Sequence, residues 1–345
     1  MSSNGYIGVD IGTSSIKMVE LAKRGSKLEL VTYGYSENAR EGVMDGWTKN
    51  VDYVVKVMDK VYKSMEASSD KAVATLPSFS VFSSIINLRN IDKNDKKGLA
   101  AAVEWEAKKF IPLPLEEMIL DSKVIGSRDG GKDGLMVFLT CSPKKLVKKY
   151  VDIFRKTLVT LVSLETETFS LIRSLLGDDK STVMIVEVGA TNTDICIVKD
   201  GIPMVSRSLD LGGKTITKSI ANILNIGMFR AEQFKRDLGF SVSQDESDVI
   251  PKTISNSINP IIDEIRYLLN LFQSKNSDKV EKVVLAGGSV LLPNFAGYLK
   301  EKLNMTVVVG DPWARISYPP ELKPILMEIG PSFAVAIGSA MREID

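Results

Sequence analysis

The stretch GVDIGTSSIKMVEL, Gly8 to Leu21, ends an apolar run on a carboxylate and follows it with small hydrogen-bonding groups. Asp10 closes the run, Gly12, Thr13, Ser14 and Ser15 make a turn, and Lys17 stands on its far side. The same order of residue types returns in VMIVEVGATNTDICIVKDG, residues 183–201, where Glu187 is followed by Gly189, Ala190, Thr191 and Asn192. Glu187 lies 177 residues after Asp10, about half the length of the 345-residue chain. The repeat predicts two related halves, each opening with a strand–turn–strand.

Such turns have two readings. As hairpins they are ordinary turn chemistry. As a pair they can pinch a phosphate. Gly12 and Gly189 let the backbone approach closely, and successive N–H groups in such turns make an anion-binding nest. Thr13, Ser14, Ser15, Thr191 and Asn192 add side-chain donors, and Lys17 adds a charge. Asp10 and Glu187 then face a common centre, and two carboxylates beside a polyphosphate call for a hard cation such as Mg²⁺.

A third stretch, EKVVLAGGSVLLPNFAGYLKEKL at residues 281–303, reads as a strand, Val283 to Ala286, running into Gly287, Gly288 and Ser289. A helix should follow with Pro293 in its first turn. Backbone at such a turn can meet a phosphate or a sugar edge, and Leu291 and Leu292 can offer an apolar face to a base. The alternative is a tight strand-to-helix turn with no ligand. The segment SLDLGGKTITKS contains Gly213-Lys214-Thr215 as a P-loop does, but the glycine a P-loop needs five residues earlier is Ser208. Gly212 and Gly213 stay among the candidate nucleotide-binding residues. The opening turn leads into a strand-like run, so it is not a dinucleotide fingerprint.

These motifs need elements to carry them. After Gly213, Ile216, Ile220, Ile223 and Leu224 recur at helical spacing, and Ala231 to Leu238 forms a second helical piece. Glu232 and Lys235 are i, i+3 neighbours on it, by themselves an ordinary surface ion pair. Near the end, IGPSFAVAIGSAM places Gly330, Ala334 and Gly338 on one ridge, smooth enough for close helix crossing. Residues 87–162 read as a small inserted α/β subdomain. It holds a helix from Leu99 to Phe110, a break at Pro112 and Pro114, a strand pair around the turn SRDGGKDG, and a final amphipathic helix burying Leu146, Val147, Tyr150, Ile153 and Phe154.

Bulk composition narrows the chemistry. The length suits two packed units. With no histidine, Ser-His-Asp and Cys-His catalysis and His-ligated zinc are excluded. Net charge is +1, which gives no footprint for nucleic acid. Cys141 and Cys196 lie in apolar strand-like runs and read as reduced core thiols. No signal peptide and no apolar run of about 20 residues is seen, so a cytoplasmic location is expected. The last residues, AIGSAMREID, hold no amphipathic membrane-binding helix, so direct membrane insertion is not expected.

Asp10-x-Gly12-Thr13-x-x-x-Lys17, Glu187-x-Gly189-x-x-x-Thr193 and Leu285-Ala286-Gly287-Gly288-x-x-x-Leu292-Pro293 resemble the phosphate-one, phosphate-two and adenosine motifs of the actin-like ATPase superfamily. IGPSFAVAIGSAM resembles its second connecting helix. Within the superfamily the chain is most similar to the PilM family of type IV pilus assembly proteins, relatives of FtsA. GVDIGTSSIKMVEL, WEAKKFIPLPLEEMILD and AEQFKRDLG carry that closer match.

The resemblance implies an α/β, actin-like (ribonuclease H-like) duplicated fold, with two lobes around a nucleotide cleft and a small inserted α/β subdomain. Residues 1–86 and 163–181 make the first lobe, with 329–345 returning to it, and 182–328 make the second. ATP sits between the lobes with Mg²⁺, whose ligands are Asp10 and Glu187. Thr13, Ser14, Ser15 and Lys17 bind phosphates, and Gly189 to Asn192 close from the other side. Glu232 and Lys235 meet the ribose or base. Gly287, Gly288, Ser289, Leu291 and Leu292 frame the adenosine. Glu187 is the catalytic candidate. The superfamily commonly has Asp there, so weak ATPase activity or none is expected.

The implied partner is the N-terminal cytoplasmic peptide of a PilN-like single-span membrane protein, which recruits the chain to the inner face of the membrane. Other pilus assembly proteins and self-association are further possibilities. The alternatives are a filament-forming FtsA-like protein and, less favoured, a small-molecule kinase of the same fold.

Overall fold

A computed structural model describes residues 5–37, 50–89, 91, 95–111, 113–127, 134–240, 249–275 and 278–344. The chain opens with β1 (Gly5–Ile11), whose Ile7, Val9 and Ile11 are buried, and β2 (Ser15–Arg24), its antiparallel partner. β3 (Lys27–Glu37), α1 (Val51–Ser64) and β4 (Lys71–Leu76) follow. Asn50 caps α1, its side chain accepting from the Tyr53 N–H at 3.1 Å.

Next come β5 (Phe82–Leu88), α2 (Lys96–Ala107), β6 (Met118–Ser127), β7 (Leu135–Pro143) and α3 (Lys144–Arg155). β8 (Thr160–Thr166) and α4 (Glu167–Leu175) lead to β9 (Val183–Val188), β10 (Thr193–Lys199) and β11 (Ile202–Leu209). The remainder is α5 (Gly213–Leu224), α6 (Met228–Leu238), α7 (Val249–Lys275), β12 (Lys282–Ala286), α8 (Phe295–Leu303), β13 (Thr306–Val309), β14 (Ile316–Ser317) and α9 (Lys323–Met341).

Two compact units result: Met1–Thr75 with Ile153–Asp345, and Leu76–Asp152. The larger holds two sheets, in strand orders β14-β3-β2-β1-β4-β8 and β11-β10-β9-β12-β13. The orders β3-β2-β1-β4 and β11-β10-β9-β12 are the same path. Each is a hairpin, a third antiparallel strand outside it, and a parallel strand beside the first. The duplication read from the two turns is therefore a duplication of sheet topology, and the fold is α/β and actin-like.

Helix α9 belongs to both halves. Its Phe333, Ala336, Ile337, Ala340 and Met341 pack with Val19, Leu21, Leu28 and Leu30 of the first sheet. Its Ala334 and Val335 pack with Leu171 and Ile172 of α4 and with Val183, Ile185 and Val284 of the second sheet. Glycines allow the contact. A Cβ on Gly338 would lie 1.9 Å from the Ser170 carbonyl oxygen, and one on Gly8 would lie 1.8 Å from that of Ala336. α9 is long and apolar enough to cross a membrane, but most of its length is buried, as in the core helix of a folded domain.

In the second half, Ile216 and Ile220 of α5 join the core of α6, α7 and α8, whereas Ile223 points outward and is 56% exposed. Gly288–Leu291 forms a 3-10 turn, and α8 begins only at Phe295. Pro293 thus precedes the helix instead of opening it. Its carbonyl accepts from the Phe240 N–H at 2.8 Å.

The smaller unit is a three-stranded antiparallel sheet, β5-β7-β6, with α2 packed on it through Val103 and Ala107. It begins and ends earlier in the chain than 87–162, because β5 pairs with β7 and β8 joins the first large sheet. α2 starts at Lys96, capped by Asp95, and leaves Trp105 68% exposed. Tyr150, Ile153 and Phe154 of α3 are buried, and Leu146 and Val147 are half-buried. Pro112 and residues 128–133 of the expected turn lie outside the described residues. Cys141 and Cys196 are buried free thiols, and burial pushes the Cys196 thiol up to about 12.

Candidate functional site

The strand register builds the site. In the first hairpin Asp10 stands opposite Lys17, and in the second Glu187 stands opposite Asp194. Asp10 is buried, and Lys17 Nζ lies 3.3 Å from its Oδ2. Gly12 opens the first turn, where a Cβ would lie 3.2 Å from the Ser15 carbonyl oxygen. The second turn closes on itself, the Gly189 N–H donating to the Asn192 carbonyl at 2.9 Å. The two turns meet where the Thr191 and Thr13 hydroxyls are hydrogen-bonded at 2.8 Å. Asn192 Nδ2 donates to Asp210 Oδ1 at 2.9 Å.

Two more segments converge on the second turn. Gly212 and Gly213 form a strap between β11 and α5: the Gly213 N–H donates to Gly189 O at 3.0 Å and the Lys214 N–H to Ala190 O at 2.8 Å. A Cβ on Gly212 would come within 2.8 Å of the Ala190 carbonyl, so the strap lies flat on the turn only with glycine there. From β12, Gly287 holds φ +90°, and a Cβ on it would meet Val188 O at 2.5 Å. Its N–H donates to Pro331 O of α9 at 2.8 Å. Ser289 Oγ then donates to Gly189 O at 3.0 Å. One carbonyl thus ties together the second turn, the strap and the third motif.

Other expected residues fall differently. Leu291 is exposed at the 3-10 turn, but Leu292 is buried in the core of the second half, so it lacks the free apolar face expected of it. Gly288 leaves open space around its Cβ position, with only Ser332 near, at 3.9 Å. Glu232 and Lys235 are bonded to each other at 2.6 Å and to the start of α5 rather than exposed as a surface pair.

Two carboxylates escaped the sequence reading. Glu167, first residue of α4, and Asp194 bring oxygen atoms within 4.8 Å of one another and of Glu187. Burial, then the neighbouring Asp194 and Asp10, push Glu187 up to about 8 against the pull of Lys17. Burial pushes Asp194 up to about 6, opposed by a hydrogen bond from the Ser208 hydroxyl. Three acids this close suit a hard divalent cation. Glu187 belongs to that group, while Asp10 stands beside its own lysine. Asp194 was within reach of the sequence, because it follows Glu187 by the same seven residues that separate Lys17 from Asp10. Glu167 had no such signal.

The family model of the type IV pilus assembly protein PilM matches residues 8–344 of the chain. Among curated proteins, the chain is 25% identical over 391 residues to the cell division protein FtsA of Borreliella burgdorferi, covering 98% of this chain and 90% of that one. Among solved structures, the fold matches the PilM-PilN type IV pilus biogenesis complex with TM-score 0.83 and 23% identity, covering 99% of this chain and 98% of that one. It matches MreB 5 of Spiroplasma citri bound to AMPPNP with TM-score 0.54 and 12% identity, covering 99% and 96%. At these identities the solved structures speak for the actin-like ATPase fold. The duplicated sheets, the paired turns and the match over nearly the whole length lead to one conclusion: this chain belongs to the PilM family of type IV pilus assembly proteins.

Proposed function

We propose that the chain binds ATP with Mg²⁺ between its two phosphate turns and works in pilus assembly as a nucleotide-controlled adaptor. In this reading it takes the N-terminal cytoplasmic peptide of a PilN-like membrane protein and is held at the inner face of the membrane by it. The observation that carries the nucleotide half is the convergence on the Gly189 carbonyl, which joins strap, third motif and second turn beside the Thr13–Thr191 contact. The MreB 5 neighbour bound to AMPPNP supports it, and the PilM-PilN complex supports the partner.

The residues divide the work. Backbone N–H groups of Gly12 to Ser15 and of Ala190 to Asn192 face phosphate oxygens, with Lys17 adding charge. Asp10, Glu187, Asp194 and Glu167 supply the oxygens that hold a hydrated Mg²⁺. When bound, that ion neutralises phosphate and carboxylate charge together. Glu187 is the residue able to orient a water. Burial and the neighbouring Asp194 and Asp10 raise its carboxyl and disfavour the charged form, which suits slow turnover and a nucleotide held rather than consumed.

The test is thermal unfolding of nucleotide-free protein with Mg-ATP, with the partner peptide, and with both. A raised midpoint with each ligand supports the adaptor. No shift with Mg-ATP rejects the nucleotide half, and no shift with the peptide rejects the partner half.

A further inference from the structure

Strand β4 lies parallel to β1, with Ile7 opposite Ala72, Gly8 opposite Val73 and Val9 opposite Ala74. One step further along both strands, Thr75 falls beside Asp10. Side chains alternate between the two faces of a sheet, so Thr75 and Asp10 share the face of Gly8, on which α9 packs. Lys17 stands on the other side of Asp10. The row across β2, β1 and β4 therefore reads Lys17, Asp10, Thr75. The next strand, β8, starts beside the start of β4, where the Thr160 N–H donates to Asp70 O at 2.7 Å, and ends where α4 begins with Glu167. Thr75 thus lies between Asp10 and the strand that delivers Glu167.

Thr75 is 2% exposed, and its Oγ1 has no hydrogen-bond partner among the described residues. A hydroxyl buried in that way destabilises a fold, and valine would fill the same space without the cost. The rest of β4 from Ala72 to Leu76 is apolar. A hydroxyl at this one position calls for a polar ligand that it meets.

The neighbours say which. Mg²⁺ keeps several of its waters when bound, and a water held by a cation donates hydrogen bonds and needs acceptors around it. Lys17 has donors only, whereas a threonine hydroxyl can accept. Thr75 offers that acceptor beside Asp10, on the side of the sheet toward Glu167. Glu167, Glu187 and Asp194 bring their carboxylate atoms within 4.8 Å of one another.

We infer that Thr75 is a positioning residue for the cation: its hydroxyl accepts from a water of hydrated Mg²⁺ and so fixes the ion between Asp10 and the three acids. The inference rests on the Mg-ATP reading above. Removing the hydroxyl leaves the carboxylates in place and takes away one acceptor for the hydration shell.

The experiment measures ATP binding to the full chain, with Mg²⁺ and with EDTA, by displacement of a fluorescent ATP analogue. Thermal unfolding of the ligand-free protein runs beside it. The variants are Thr75→Val, close in shape but without the hydroxyl, and Thr75→Ser, which keeps it. Thr75→Val should weaken binding in Mg²⁺ roughly tenfold and leave binding in EDTA unchanged, while its ligand-free midpoint stays level or rises. Thr75→Ser should recover most of the Mg²⁺-dependent affinity. A loss equal with and without Mg²⁺ would place Thr75 away from the cation and overturn the inference, as would no loss at all. A Thr75→Val protein that fails to fold, or melts lower without ligand, would make the hydroxyl part of the fold and overturn it too. A wild type that binds ATP equally with Mg²⁺ and EDTA would overturn it while sparing nucleotide binding, and a wild type that binds under neither condition would remove both.

Discussion

The hydroxyls of Thr13 and Thr191, 178 residues apart in the chain, are hydrogen-bonded at 2.8 Å. Each sits in the turn of its own hairpin, so the two halves touch through the residues expected to grip phosphate. Thr13→Val and Thr191→Val should each destabilise the ligand-free protein. Their double-mutant cycle should give a coupling of ~1 kcal/mol by urea unfolding. Additive losses would mean that the hydroxyls do not hold the turns together.

Asp10→Asn tests the first turn. The carboxylate is buried 3.3 Å from Lys17, and asparagine keeps an oxygen there but removes the negative charge that pairs with the lysine and that, in the proposed function, attracts a divalent cation. Affinity for Mg-ATP should fall roughly tenfold or more. Calorimetry that returns the wild-type dissociation constant would exclude Asp10 from the site.

Glu187 and Asp194 make stability depend on pH. Both carboxyls are raised in the folded chain, to about 8 and about 6, above ordinary values of 4.5 and 3.8. The folded state therefore binds the extra protons, and the stability they bring is complete below about pH 4 and lost as pH rises through 6 and then 8. The Tm of the ligand-free protein should decline across that window, and Glu187→Gln should flatten the decline. Mg²⁺ should raise Tm most at the alkaline end, where the acids are ionised. A Tm–pH curve identical in wild type and Glu187→Gln would contradict the shift.

Gly338→Ala places a methyl group where the Ser170 carbonyl stands, 1.9 Å from the added carbon. The α4–α9 crossing must then open, at a cost of ~2 kcal/mol or more. Gly126→Ala, whose Cβ would meet nothing within 4 Å, should change stability by under ~1 kcal/mol. Chemical denaturation of the pair separates close packing from a general intolerance of side chains.

Much of this was legible because the two turns carry local chemistry. An acid, a glycine and hydroxyls in that order mark a strand–turn–strand, and the second copy marks the duplication. Gly330 and Gly338 were legible as a ridge for the same reason, since spacing along one helix is a property of the sequence. Partners distant in sequence were less so. Glu167 approaches Glu187 only because α4 starts beside the second sheet, and no period in the chain announces that. Lys235 looked like half of a surface pair because i, i+3 spacing says nothing of the Gly213 carbonyl above it. Leu292 and Ile223 exchanged expected roles: Leu292, just after the 3-10 turn, is buried in the core of the second half, and Ile223 is exposed although it keeps the helical spacing of Ile216 and Ile220.

Helix α9 gives residues to the cores of both halves. Uncovering it strips the first sheet and α4 in the same event, so neither half keeps a complete interior without the other. The duplicated halves have thus ceased to be separable folding units. They should melt in one transition and resist being cut into two stable fragments, and a ligand that steadies either hairpin should be felt as added stability throughout.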